Sequence, residues 1–181
     1  MKIRTDFVTN SSSSSFILSF SSEDRIDTEV NDMLMLYGDP IKQIVTHDAK
    51  MGRKFTKKEI LDAAEKAVPV FGEYGIIRFD GINDEGLSNL LEEFWYKAEW
   101  ETDCHKRYRG HMSWSETMDY LRSENGLSEI MQEYKSYLSK FEEYSDNCIF
   151  VEVEYEDHSE IGAMLEHDIL PSKCIISFNH H

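Results

Sequence analysis

The stretch Ile149-Phe150-Val151-Glu152-Val153-Glu154-Tyr155-Glu156 decides the fold, because here the chain changes its apolar period from helical to alternating. Ile149, Val151, Val153 and Tyr155 alternate with Phe150, Glu152 and Glu154, the pattern of a strand with one buried face. Working outward on the downstream side, residues 160–170 read as a short helix, Pro171 breaks it, and residues 174–178 read as a last strand. On the upstream side the pattern is helical. Ile130, Met131, Tyr134, Leu138 and Phe141 mark a long helix starting near Ser128. Ser113 with Glu116 forms a capping box for a shorter helix carrying Met118 and Leu121, with Asn125-Gly126 as its stop.

Further back, Leu87, Leu90, Leu91, Phe94 and Ala98 lie on one face of a helix running to about Glu101. Residues 74–79 read as an interior strand closed by Asp80-Gly81. Thr56 and Glu59 form a second capping box, for a helix with an apolar face at Ile60, Ala64, Ala67 and Val68, ended by Pro69. Before it, Ser22 caps a helix carrying Ile26, Val30, Met33, Leu34 and Tyr37, stopped by Gly38-Asp39-Pro40. The opening contributes two strands, residues 3–8 and 16–20, around Asn10 and the run Ser11, Ser12, Ser13, Ser14 and Ser15.

This order predicts an α+β fold. One mixed or antiparallel sheet of four to five strands, drawn from both chain ends, is covered by about five helices. Strands from the two ends must pair, because neither terminal hairpin is stable alone. With 181 residues and no repeat or linker, residues 1–181 read as a single domain.

Composition limits the function classes. An aromatic content of 12% argues against disorder, and no stretch approaches the ~18–20 apolar residues of a membrane helix. Met1 to Asp6 lacks the apolar run of a secretory signal, so a cytoplasmic protein is expected. Cys104, Cys148 and Cys174 lack zinc-ribbon spacing and read as reduced, mostly buried residues. The net charge is −16, and residues 111–181 hold 4 basic against 15 acidic side chains. Such a field repels nucleic acid and anionic membrane and attracts basic surfaces, so the expected partner is a protein with a basic surface.

Several segments are candidates for chemistry. The serine run and Asn10 read as a tethered loop with a capacity for anion or ligand contact through backbone N–H groups. No G-x-S-x-G elbow supports a nucleophile. His158, Glu166, His167, His180 and His181 are ligand types for a divalent metal, the one cofactor class they suggest, although helical H-x-x-x-H spacing is absent. The segment from Asp103 to His111 reads first as a basic helix–helix connection that balances acidic helices nearby; alternatively, cationic neighbours of Cys104 suggest a lowered thiol pKa, and Arg with Tyr suggests a phosphate or base grip. The run Lys50, Arg53, Lys54, Lys57 and Lys58 reads as a solvated approach to the helix that follows. Phe94, Trp95, Tyr96 and Trp100 cannot all face one core, so Trp95 or Trp100 is a candidate interface anchor. Glu152 and Glu154, with Glu156 and Asp157 beyond, form a row of negative charge at ~7 Å intervals that a basic groove could accept in place of nucleic acid.

The leader Lys2-Ile3-Arg4-Thr5-Asp6-Phe7-Val8-Thr9-Asn10, the five serines, Phe16 and Ile17 resemble a group of small, functionally uncharacterised proteins from Firmicutes and their phages or mobile elements. The tail shares the resemblance through Glu166-His167-Asp168-Ile169-Leu170-Pro171 and the pair His180-His181. It covers roughly 30 residues at the two ends, and this sequence lacks the C-x-x-C pair of some members. Together these features point to a non-enzymatic, acidic interaction protein of a phage or mobile element, an inhibitor occupying a basic nucleic-acid-binding surface being one form. The alternative is a metal-dependent hydrolase or related enzyme built on the histidine-rich tail and the serine loop.

Overall fold

The computed structural model describes residues 13–21, 49–72, 75–156 and 174–179. The chain gathers into two compact units, one of residues 1–54 with 148–181 and one of residues 55–147. The class is α+β.

The first unit is a four-stranded sheet of β1 (Ser13–Phe20), β2 (Ala49–Thr56), β5 (Ile149–Glu156) and β6 (Cys174–Asn179), in the order β2-β5-β1-β6. β1 pairs antiparallel with both β5 and β6, so strands from the two ends of the chain do share one sheet. Ile17 lies opposite Glu152 on one side and Ile176 on the other. Leu18 pairs with Val151 and with Cys174, which leaves Ile175 as an extra residue, a β-bulge in β6.

Successive side chains of a strand point to opposite faces. Ile17 and Leu18 are both buried, as are Phe150 and Val151, and Ile175 and Ile176. The sheet is therefore shielded on both faces at its centre, and the expectation of one buried face for β5 is corrected. The alternation misleads because Phe150 stands among the glutamates yet is fully buried.

A second correction concerns the serine run. Ser13, Ser14 and Ser15 are strand rather than loop: register places them opposite Glu156, Tyr155 and Glu154 of β5. The backbone groups that a serine hydroxyl would otherwise solicit are taken by the ladder. The run from Lys50 to Lys54 is likewise strand, within β2.

The second unit begins where β2 ends. Thr56 caps α1 (Lys57–Lys66) with the expected capping box, the Thr56 N–H donating to the Glu59 carboxylate at 2.7 Å. The buried residues of α1 are Ile60 and Ala63; of the other residues expected on its apolar face, Ala64 and Ala67 are half-buried and Val68, already the first residue of a strand, is exposed. That strand, β3 (Val68–Gly72), pairs antiparallel with β4 (Gly75–Asp80). β4 is thus half of a two-stranded ribbon rather than an interior strand, and Pro69 opens the ribbon instead of merely ending a helix.

α2 (Glu85–Cys104) is capped by Asp84, whose carboxylate accepts from the Leu87 N–H at 3.0 Å, and it passes into a π-helical segment at His105–Arg109. α3 (Trp114–Leu121) carries the expected Ser113–Glu116 capping box. α4 (Glu124–Glu142) starts four residues before the position read from the pattern. Gly126 does not stop a helix; it lies in the first turn of α4, its N–H donating to Ser123 Oγ at 3.2 Å. Only glycine fits, because a Cβ there would lie 2.1 Å from the Tyr120 carbonyl oxygen.

The core of this unit forms between α2 and α4. Phe94 stacks on Phe141, and Trp95 meets Phe71, Phe79 and Tyr134 at centroid distances of 5.6 to 6.4 Å. Lys57 closes the unit: its ammonium donates to the Tyr144 carbonyl at 2.8 Å and pairs with Asp146 at 3.1 Å, just past the negative end of α4.

Candidate interaction surface

α2 is amphipathic in an uneven way. Leu87, Leu90, Leu91, Phe94, Trp95 and Ala98 turn to the core. At 100° per residue, the opposite face carries Tyr96 and Trp100, with the half-buried Glu92 and Glu99 at its border. Trp100 keeps 59% of its surface exposed and Tyr96 keeps 50%, whereas Trp95 keeps 1%. Of the two tryptophans singled out from sequence, Trp100 is a surface residue and Trp95 is core, a correction that follows from Trp95 lying one residue after Phe94 on the buried side.

Carboxylates surround the exposed rings. Glu101 pairs with Lys97 at 3.8 Å, and Glu92 accepts from the Ser88 hydroxyl at 3.1 Å. Glu99 is half-buried, and its carboxyl is pushed above the usual range by burial and then by the neighbouring Asp103, with Arg122 acting in the opposite sense.

The π-helical segment completes the surface. The Gly110 N–H donates to the His105 carbonyl at 2.7 Å, the five-residue reach of a π turn, and a Cβ at Gly110 would lie 2.6 Å from the Lys106 carbonyl oxygen. Asp103, buried at the end of α2, accepts from Arg107 Nε at 3.0 Å, while its Oδ1 has no hydrogen-bond partner among the described residues. The Arg107 guanidinium lies 4.5 Å from the Trp114 ring centroid and 5.2 Å from that of Tyr108. Beside it, Lys106 pairs with Glu129 at 3.0 Å and covers the Tyr120 ring, whose hydroxyl donates to the same carboxylate at 2.6 Å. Hydrogen bonding to Glu129 holds the Lys106 pKa up.

The thiol of Cys104 moves the other way from the sequence expectation. Burial pushes its pKa up, and Asp103 and Glu101 add to this against Arg107 and Arg109. Arg107 and Lys106 are committed to carboxylates, so the segment does not activate the cysteine.

Of the other candidates, Asn10, Ser11, Ser12, Asp157, His158, Glu166, His167, His180 and His181 lie outside the described residues. Glu152 is half-buried and shares the sheet face of Ile17 and Phe150; Glu154 and Glu156 follow it in register opposite Ser15 and Ser13. No group of three His, Cys, Asp or Glu side chains that could hold a metal ion occurs among the described residues. No helix among them is long and apolar enough to cross a membrane. Sequence reasoning missed Tyr96, Tyr108 and Trp114 as surface aromatics. Trp114 heads the helical row of the buried Thr117 and Leu121, so spacing alone would have placed it inward.

No family model matches the chain, and neither a curated protein nor a solved structure does.

Proposed function

We propose that this chain is a partner-binding protein whose acidic surface captures a basic surface on another protein. The carrying observation is the charge asymmetry: no Lys or Arg occurs between Lys140 and Lys173, and ten carboxylates fall within the 27 residues from Glu142 to Asp168. Among these, Glu142 and Glu143 are exposed at the C-terminal end of α4. Exposed aromatics in the helical unit, among them Tyr96, Trp100, Tyr108 and Trp114, add the residue types that anchor protein interfaces. Occupation of a basic nucleic-acid-binding groove is the form of this reading that the run of carboxylates favours.

Salt dependence separates this reading from a neutral apolar contact. The immobilised full-length chain should retain basic proteins from the native host at about 50 mM salt and release them as salt rises to about 0.5 M. A variant with Glu142→Lys and Glu143→Lys should retain markedly less. Retention indifferent to salt, or equal retention by the variant, overturns the proposal.

A further inference from the structure

We infer that the Arg107 guanidinium, held against the Tyr108 and Trp114 rings, is a receptor for a carboxylate on an acidic segment of a partner protein, a contact separate from the acidic run described above. The guanidinium lies 4.5 Å from the Trp114 ring centroid and 5.2 Å from that of Tyr108, and both rings are more than half exposed. Its side-on edge is already fixed, because Nε and Nη2 both donate to the same oxygen of the buried Asp103, Oδ2. A carboxylate that meets arginine squarely uses both of its oxygens, one for each N–H of the fork. Here one oxygen takes both bonds, and Nη1 has no hydrogen-bond partner among the described residues. The end-on edge of Arg107 therefore keeps donors for a second carboxylate, and the side chain retains 20% of its surface to meet one.

Unfavourable local features converge on this placement. The buried Asp103 leaves Oδ1 without a partner among the described residues. The chain after α2 adopts a π turn, and His111 then takes a φ of 60°, a left-handed conformation uncommon for a residue other than glycine. Beyond His111 the Met112 N–H donates back to the Lys106 carbonyl at 3.1 Å, and the returning chain sets Trp114 against Arg107. Strained backbone of this kind gathers where a ligand is gripped. The chemistry of the cluster selects that ligand. A guanidinium fork matches a planar carboxylate, and the adjoining rings shield the pair and accept apolar side chains flanking it. Residues 104–115 carry Lys106, Arg107 and Arg109 and no Asp or Glu, a local reversal of the −16 net charge. Glu101 and Asp103 precede that island and Glu116 follows it, so a short acidic segment suits it, whereas a nucleic-acid backbone would be repelled on both sides.

The test titrates the isotope-labelled full chain with an end-blocked peptide Gly-Leu-Glu-Leu-Gly at about 50 mM salt, following the Arg107 Nε–H and Trp114 indole N–H resonances by NMR. Both resonances should shift and saturate, and the matched peptide with Gln in place of Glu should bind at least about fivefold more weakly. Arg107→Lys, read at the Trp114 indole, should weaken binding about fivefold. Trp114→Ala, read at the Arg107 Nε–H, should weaken it about threefold, while Trp100→Ala changes it less than about twofold. Trp114 is exposed and Arg107→Lys keeps a cation beside Asp103, so both variants should retain the native far-UV circular dichroism, which is recorded alongside. Resonances that stay still in the wild-type chain, or move equally with the Gln peptide, overturn the site. Undiminished affinity in Arg107→Lys overturns the guanidinium fork, and tighter binding by a short oligothymidylate than by the Glu peptide overturns the choice of a protein partner.

Discussion

Gly126→Ala sets two physical effects against each other. Replacing glycine by alanine within a helix is ordinarily favourable by up to about 1 kcal/mol. Here the added Cβ would lie 2.1 Å from the Tyr120 carbonyl oxygen and 2.7 Å from the Leu121 Cα, and both obstacles are backbone. No side chain can swing away, so α3 and α4 must separate by over an ångström. That motion loosens the Ser123 cap on α4, a 3.2 Å bond to the Gly126 N–H, and the 2.6 Å bond from Tyr120 to Glu129. A cap contributes about 1 kcal/mol and overpacking costs about 1–3 kcal/mol. After subtracting the helix gain, the net loss should be about 2 kcal/mol. All three tryptophans lie in the helical unit, so urea unfolding followed by fluorescence reads it directly. At an m-value of about 2 kcal/mol/M the midpoint should fall by about 1 M. Asn125→Ala, at the exposed neighbouring position, should raise the midpoint slightly. An unchanged or raised midpoint for Gly126→Ala would refute the close approach of the two helices.

Three further outcomes are expected. Tyr134→Phe should leave stability unchanged or raise it by up to about 1 kcal/mol, because the buried Tyr134 hydroxyl has no hydrogen-bond partner among the described residues, and a loss above about 1 kcal/mol in urea unfolding would reveal one. For Glu99 the folded pKa is raised, so the native state binds the extra proton between about pH 4.5 and its folded value, and stability falls as pH rises through that window. Glu99→Gln should therefore be more stable than the wild type at pH 7 and about equal at pH 4; the same difference at both pH values would exclude the carboxylate as the cause. Ile176→Ala removes a buried side chain opposite Ile17 and should cost about 2–4 kcal/mol, seen as faster amide hydrogen exchange in β1 while α2 and α4 keep their protection.

What could be read in advance followed from local rules. Both capping boxes are formed by the residues the spacing names, because a Ser or Thr three residues before a Glu satisfies helix-end donors without outside help. The apolar face of α2 was equally legible, since five residues at helical spacing are all buried. The errors fall where tertiary contacts override local preference. Gly126 reads as a stop until the Tyr120 carbonyl is seen against it, and Phe150 reads as outward until the second face of the sheet is seen to be covered. The candidate surface was half legible. Four aromatics in seven residues demand that some be exposed, but the choice of Trp100 over Trp95 depends on helix phase, and the pairing of Arg107 with Trp114 depends on a π turn that no spacing rule announces.

The register of β1 has a consequence for synthesis. Both of its neighbours, β5 and β6, are translated after it, the nearer one about 130 residues later. At about 5–20 residues per second the segment Phe16-Ile17-Leu18-Ser19-Phe20 waits for several seconds or longer without the strands that will cover its edges. In that interval the continuous segment 55–147 leaves the ribosome whole, free to fold while the sheet is still incomplete. The serines ahead of Phe16 then have a second use. They shorten the apolar run that a nascent β1 offers to another chain, and so act as gatekeepers until β5 and β6 arrive.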